Sequence, residues 1–222
     1  MMKAIILDCY GTLVSTGNGS ITATEQILQR NRIQFDAHEF YRQWKYIHHT
    51  LCATVPFRLE ADAFLIGLKK LYETHNIEGN AEQDVKLMLQ TLGRREAFPE
   101  VHEVIAELST RFQLVIGSNS DHEPLLADLS RNTIHIPTVF SSESLCAYKP
   151  NIEFFAKMLA QLSLQPEEVY YVGDSQIDDI LGSNKLGVES IWINRKKETL
   201  FDGIPKPKFE CKDLTGLLSI RT

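Results

Sequence analysis

The sequence has no CxxC pair: Cys9, Cys52, Cys146 and Cys211 fall at no regular spacing. That excludes a zinc ribbon and leaves no framework for disulfides. Basic runs are equally scarce. Pairs such as Arg94-Arg95 aside, the longest is the three-residue Arg195-Lys196-Lys197, and the formal net charge is −6, the wrong sign for a surface that binds nucleic acid. No apolar stretch approaches the ~20 residues of a membrane helix, and Asp8 comes too early for a secretory leader. The expectation is a soluble, cytoplasmic protein, monomeric or homodimeric, with neither membrane nor nucleic acid as partner. Its 222 residues, 43% hydrophobic, suffice for one well-cored domain and a smaller accessory one.

A further absence is local. From Asn18 to about Gln90 nothing reads as a strand, whereas elsewhere buried strands recur: "AIIL" (4–7), "FQLVIG" (112–117), "PTVFS" (137–141), "EVYYVG" (168–173) and "ESIWI" (189–193). Helix-length segments precede most of them, with apolar residues at three- and four-residue steps, as in Val101, Val104, Ile105 and Leu108, or Phe154, Phe155, Met158, Leu159 and Leu162. This alternation predicts an α/β fold with an open parallel sheet, and a ligand beyond the carboxyl ends of its strands. The strandless interval carries only helical patterning, in "ITATEQILQRN", "AHEFYRQWKYIHHTL", "EADAFLIGLKKLYETHN" and "AEQDVKLMLQTL". It predicts a helical cap at 17–91 inserted into a core of 1–16 and 92–222, with hinges near 15–20 and 90–97. The glycines of "STGNGS" read as hinge, because GNG lacks the rest of a phosphate-binding fingerprint. The tail beyond Arg195, with Pro205 and Pro207, reads as irregular.

Polar residues close the predicted strands. Asp8 and Thr12 follow the first, Ser118 and Asn119 end "FQLVIGSN", Lys149 precedes Pro150, and Asp174, Ser175, Asp178 and Asp179 follow "VYYVG". Singly, a strand-end Asp is more often a helix cap, and a Lys before Pro more often lies on the surface. Together and in this order they point to one site. Cys9 is no cysteine-phosphatase nucleophile, since no Arg follows at the required distance, and strand alternation turns it away from Asp8 into packing. His48 and His49 diverge by about 100° on a helix and cannot chelate one ion.

These positions resemble the motifs of the haloacid dehalogenase superfamily, matched in order from Met1 to about Ile193, with the helical insert placed like that superfamily's cap. The resemblance implies a Rossmann-like core and a covalent aspartyl intermediate on Asp8. Ser118, Asn119 and the amides after Asp8, including Gly11, would hold the transferring group, and Thr12 completes the first motif. Lys149 would neutralise the clustered carboxylates. Asp8, Asp174 and the Tyr10 backbone carbonyl would ligate Mg²⁺, with Asp179 favoured over Asp178 as the second acid of the fourth motif. The partner implied is a small anionic substrate, contacted from the cap by candidates Arg42, Trp44, Lys45 and His48.

One acid is missing. Phosphatases of this superfamily usually carry Asp two places after the nucleophile, where this chain has Tyr10. A phenol with pKa near ~10 is a poor base at neutral pH, and loss of a general acid or base costs ~10²–10⁴ in rate. "DCYGTL" resembles the 2-haloacid dehalogenase branch, in which halide leaves without a proton and an Arg such as Arg42 would grip the substrate carboxylate. That branch resembles Ser-Ser-Asn at the fourth motif, where this chain has Gly173-Asp174-Ser175. It also typically has Tyr where Phe155 stands here. An acid at 174 requires a cation, so the favoured reading is Mg²⁺-dependent hydrolysis of a small phosphorylated metabolite. Dehalogenation, or a fold kept for binding or regulation, are the alternatives.

Overall fold

The computed structural model describes residues 1–220. Its strands are β1 (Ala4–Leu7), β2 (Gln113–Ser118), β3 (Thr138–Ser141), β4 (Val169–Gly173), β5 (Glu189–Ile193) and β6 (Phe209–Cys211). All pair in parallel, in the order β3-β2-β1-β4-β5-β6. The direction of strand addition reverses between β1 and β4, and in such sheets the ligand crevice opens at the carboxyl ends of those two strands.

Strand periodicity divides the buried side chains between two faces. Ile5, Leu7, Leu114, Ile116, Tyr170 and Val172 enter one hydrophobic cluster, while Ala4, Ile6, Val115, Val169 and Tyr171 enter the other. Between β1 and β2 lie α1 (Gly19–Arg30), α2 (Ala37–Cys52), α3 (Glu60–Thr74), α4 (Ala81–Leu89) and α5 (Val101–Leu108); α6 (His122–Arg131), α7 (Ser142–Leu145) and α8 (Ile152–Leu162) follow. α5 and α6 cover the first face through Val101, Val104, Leu108, Leu125 and Leu129. α8 covers the second through Phe154, Phe155, Met158 and Leu159. Burial on both faces is why these strands are apolar at successive positions.

Helices α1–α4 share a third cluster, built on Ile27, Phe40, Trp44, Phe64, Leu68 and Met88. Asp36 caps α2 and Asn80 caps α4, each accepting a backbone N–H two residues into the helix proper. α3 has no such cap, because Leu59 stands in that place. The carboxylate of Asp121, just after β2, does the work instead, accepting from the N–H groups of Glu60 at 2.7 Å and Ala61 at 3.0 Å. The two connections to the sheet run side by side: Ser15 N–H donates to the Glu96 carbonyl, Phe98 N–H to that of Leu13, and Val14 bridges Ala97.

The tail departs from expectation. Beyond Arg195 the chain adds β6 at the sheet edge and then a 3₁₀ helix, Leu214–Ser219, whose Leu214 and Leu217 are fully buried. A three-residue edge strand behind two prolines has no periodic signal of its own; its pairing with β5 creates it. No described helix is long and apolar enough to cross a membrane.

Candidate active site

β1 delivers Asp8, 4% exposed, to the carboxyl end of the sheet. Its Oδ1 accepts from Ser118 Oγ at 3.2 Å and from Lys149 Nζ at 2.8 Å. Lys149 also donates to Asp179 Oδ1 at 2.6 Å and to the Tyr171 hydroxyl at 2.9 Å. The second oxygen of Asp179 accepts Ser175 N–H at 2.9 Å, so both its oxygens are engaged. Carboxylate oxygens of Asp8, Asp174 and Asp179 lie within 4.8 Å of one another. The backbone is shaped for this crowding. Gly11 has φ +92, and a Cβ there would lie 2.3 Å from an Asp174 oxygen; one on Gly173 would lie 2.2 Å from Asp179.

One ammonium faces several acids, and the titration of the site follows. Burial pushes Asp174 up to about 6, reinforced by Asp8. Asp178 is raised for the same two reasons, against the pull of Lys149, His49 and Lys45. Burial alone would lower Lys149, but Asp179 and Asp8 outweigh it and hold the ammonium charged.

The other sequence candidates divide. Asn119 engages the backbone of Lys149, accepting from its N–H at 2.8 Å and donating to its carbonyl at 3.1 Å. It therefore positions Lys149, and its amide is not turned to Asp8. The Thr12 hydroxyl is buried and finds no partner among the described residues, while the Thr12 carbonyl accepts from Arg195 at 2.9 Å. Its part is in the loop after β1. Arg42 is not brought to the cluster: its guanidinium lies on Glu39 with both contacts at 2.6 Å, and its side chain is 71% exposed. A carboxylate three residues back on the same helix outcompetes a distant one. Trp44 is fully buried in the helical insert, its indole donating to the Phe64 carbonyl. His48 is buried and stacked on Phe64 at 4.1 Å. The ring of Tyr10 lies 4.2 Å beneath Arg95, its hydroxyl 3.5 Å from Ser120 Oγ; burial raises the phenol pKa still further, so it is no base at neutral pH.

Two residues escaped the sequence reading. Tyr171 donates to the Gly117 carbonyl and accepts from Lys149. Its ring meets Phe155 edge-on at 5.2 Å, so β4 supplies beside Phe155 the hydroxyl which that residue lacks. A phenol inside the apolar run "VYYVG" was the available signal. Arg195 donates to the Gly11 and Thr12 carbonyls and pairs with Glu100 at 2.7 Å, bracing the loop that presents Asp8. Nothing local to Arg195 marked it.

A carboxylate at a strand end, a charged lysine and two further acids crowded against it are the groups that nucleophilic or cation-binding chemistry would use. Residues 5–193 match the profile of the haloacid dehalogenase-like hydrolases, and the chain belongs to that family of hydrolases. It is 21% identical over 199 residues to (S)-2-haloacid dehalogenase 4A of Burkholderia cepacia, covering 88% of this chain and 84% of that protein. Over 59 residues, 27% of this chain and 25% of the other, it is 39% identical to a glyceraldehyde 3-phosphate phosphatase of Methanopyrus kandleri. Its fold matches that of the putative hydrolase YfnB of Bacillus subtilis bound to magnesium, with TM-score 0.81, 18% identity and 99% of each chain covered.

Proposed function

We propose that this hydrolase removes phosphate from a small phosphorylated metabolite in a Mg²⁺-dependent reaction through an aspartyl-phosphate on Asp8, with α1–α4 (19–89) acting as a cap over the site. The observation that carries this reading is Asp174. It places a third, half-buried acid against Asp8 and Asp179, with Lys149 already shared between those two, and the surplus negative charge would repel an anionic substrate unless a cation lay between. The donor set fits: Asp8 keeps Oδ2 free, the side chain of Asp174 accepts from no other residue among those described, and both offer hard oxygen. The Tyr10 carbonyl would complete the protein's share. When bound, Mg²⁺ supplies charge neutralisation of the transferring group.

The chain's own residues do the rest. Lys149 and Ser118 hold the Asp8 carboxylate in place through their contacts to its Oδ1, and amides of the Gly11 loop donate to the phosphoryl oxygens. Asp179 orients Lys149 and Ser175. The asparagine clamp on Lys149 and the Arg195 brace keep the two loops in register.

A second reading, carbon–halogen hydrolysis of a 2-haloacid, is favoured by Tyr10 and by the Tyr171 hydroxyl on Lys149. The deciding measurement is the initial rate on an aryl phosphate with Mg²⁺ and with chelator, Asp8→Asn serving as the blank. Turnover that needs both metal and Asp8 supports phosphoryl transfer. Absence of turnover, with halide released from 2-haloacids, replaces that reading by the second.

A further inference from the structure

Among the described residues four arginines are half-buried: Arg58, Arg95, Arg111 and Arg195. Arg58 donates to the Thr54 hydroxyl and the Pro56 carbonyl, Arg111 to the Ile220 carbonyl, and Arg195 to the Gly11 and Thr12 carbonyls and to Glu100. Arg95 hydrogen-bonds through its main chain alone: its N–H donates to Asp128 at 2.7 Å and its carbonyl accepts from Asn132 at 2.8 Å. Its guanidinium has no hydrogen-bond or ion-pair partner among the described residues and lies over the ring of Tyr10, 4.2 Å from the centroid. That contact answers its charge and gives its five N–H groups no acceptor. Withdrawing such a group from water without acceptors costs stability.

Tyr10 follows Asp8 by two residues, so their α-carbons are at most about 7 Å apart. The Tyr10 hydroxyl lies 3.5 Å from Ser120 Oγ, on the loop that carries Ser118, and Asp121 of that loop caps α3. The ring under Arg95 thus spans the loops after β1 and β2 where the helical insert meets them. Arg95 reaches it from the returning connection, which pairs with the outgoing one through Ser15 and Glu96. Beside it a cavity of about 210 Å³ is lined also by Ser15, Thr16, Ser20, Thr91 and Arg94. Glu96, the one acid of that lining, pairs with Arg131 at 3.2 Å. Arg42, the cation expected to meet the substrate, is spent on Glu39.

We propose that Arg95 binds a second anionic group of the substrate, a carboxylate or a further phosphate, and so selects phosphorylated metabolites that carry one; the proposal rests on the phosphohydrolase reading above. With the phosphoryl group at Asp8, the second anion takes the unanswered N–H groups of the guanidinium, whose planar fork suits two oxygens at once. Tyr10 then has a part that needs no proton: its ring is the platform on which Arg95 rests. The Asp128 and Asn132 side chains fix the main chain of Arg95 on both sides, so the guanidinium is held in place before substrate arrives. A preorganised cation loses little freedom on binding, which is where specificity for the second anion is gained.

The test compares phenyl phosphate with its 3- and 4-carboxy and 3- and 4-phosphono derivatives, all of which release an aryl oxide. At least one derivative is expected to exceed phenyl phosphate in kcat/KM by about tenfold, the preferred group telling carboxylate from further phosphate. Arg95→Met, which keeps an apolar stem over Tyr10, is expected to lower kcat/KM for that derivative by ~10–10² and for phenyl phosphate by no more than about twofold. No preference in the unaltered enzyme overturns the proposal. So does an equal loss on every ester, which would make Arg95 a brace for Tyr10. Arg94→Met, at the exposed neighbour, is expected to leave the preference intact; the same loss there would assign it to surface charge and overturn the proposal. Should Arg95→Met fail to fold, Arg95→Lys keeps the charge without the fork and is expected to weaken the preference severalfold; an undiminished preference overturns the proposal. If the unaltered enzyme hydrolyses none of these esters in a Mg²⁺- and Asp8-dependent reaction, the phosphohydrolase reading itself fails and this proposal falls with it.

Discussion

Asp84 in the helical insert and Asp8 in the sheet layer are both buried carboxylates, 1% and 4% exposed, in opposite circumstances. Asp84 is satisfied: one oxygen accepts from Asn31 at 2.9 Å and Tyr72 at 2.8 Å, the other faces Arg30 at 3.2 Å. Asp8 shares one lysine with Asp179 and stands against Asp174, so three carboxylates crowd round one buried ammonium. A buried charge with all its partners holds helices together; buried charges in surplus wait for something to bind.

The largest effect expected is on rate. Asp8→Asn should lower phosphate release by on the order of 10³ or more, while its melting temperature in chelator should not fall below that of the unaltered protein, because one of the crowded acids is gone. A lower melting temperature would mean that the cluster is structural, like that of Asp84. The converse test is Asp84→Ala, which strands Tyr72, Asn31 and Arg30 and should cost about 2–4 kcal/mol, seen as a lower urea midpoint. A loss below about 0.5 kcal/mol would erase the contrast between the two sites.

Tyr10→Asp should raise alkyl phosphate turnover by about tenfold and aryl turnover much less, since a proton matters only to the poorer leaving group; equal gains would remove the leaving-group account. The smallest effect concerns metal. Millimolar Mg²⁺ should stabilise the stripped protein by about 1–2 kcal/mol if it exceeds its dissociation constant tenfold or more, and Asp174→Asn should abolish the shift in melting temperature. Because Asp174 is raised to about 6 from its ordinary 3.8, protons compete with the ion, and the Mg²⁺ shift should shrink as pH falls through about 6. In chelator the sign is reversed. A carboxyl raised in the fold adds stability below about pH 4 that is lost as pH rises through about 6.

Much of the site was legible because it is built on strand ends. Apolar runs that must be buried on both faces announce themselves, and the residue that ends each run lands on the same edge of a parallel sheet; hence Asp8, Ser118, Lys149, Asp174 and Asp179 could be named together. The misreadings share a cause. Whether Arg42 reaches a cleft or folds back on Glu39, whether Trp44 is a contact or core, and whether Asn119 turns to substrate or to the Lys149 backbone depend on rotamers and neighbours that periodicity does not carry. Arg195 and Tyr171 were missed for the same reason: each acts on residues far away in the chain, Gly11 and Thr12 in one case and Lys149 in the other.

The sequence by itself therefore determined the parallel sheet, the helical insert and the acids at its edge, since period, polarity and order along the chain are local quantities. Tertiary structure alone decided how the charges balance. It put one lysine among the acids and brought Asp121 across to cap α3, because those outcomes are set by distances between segments the chain separates by tens of residues.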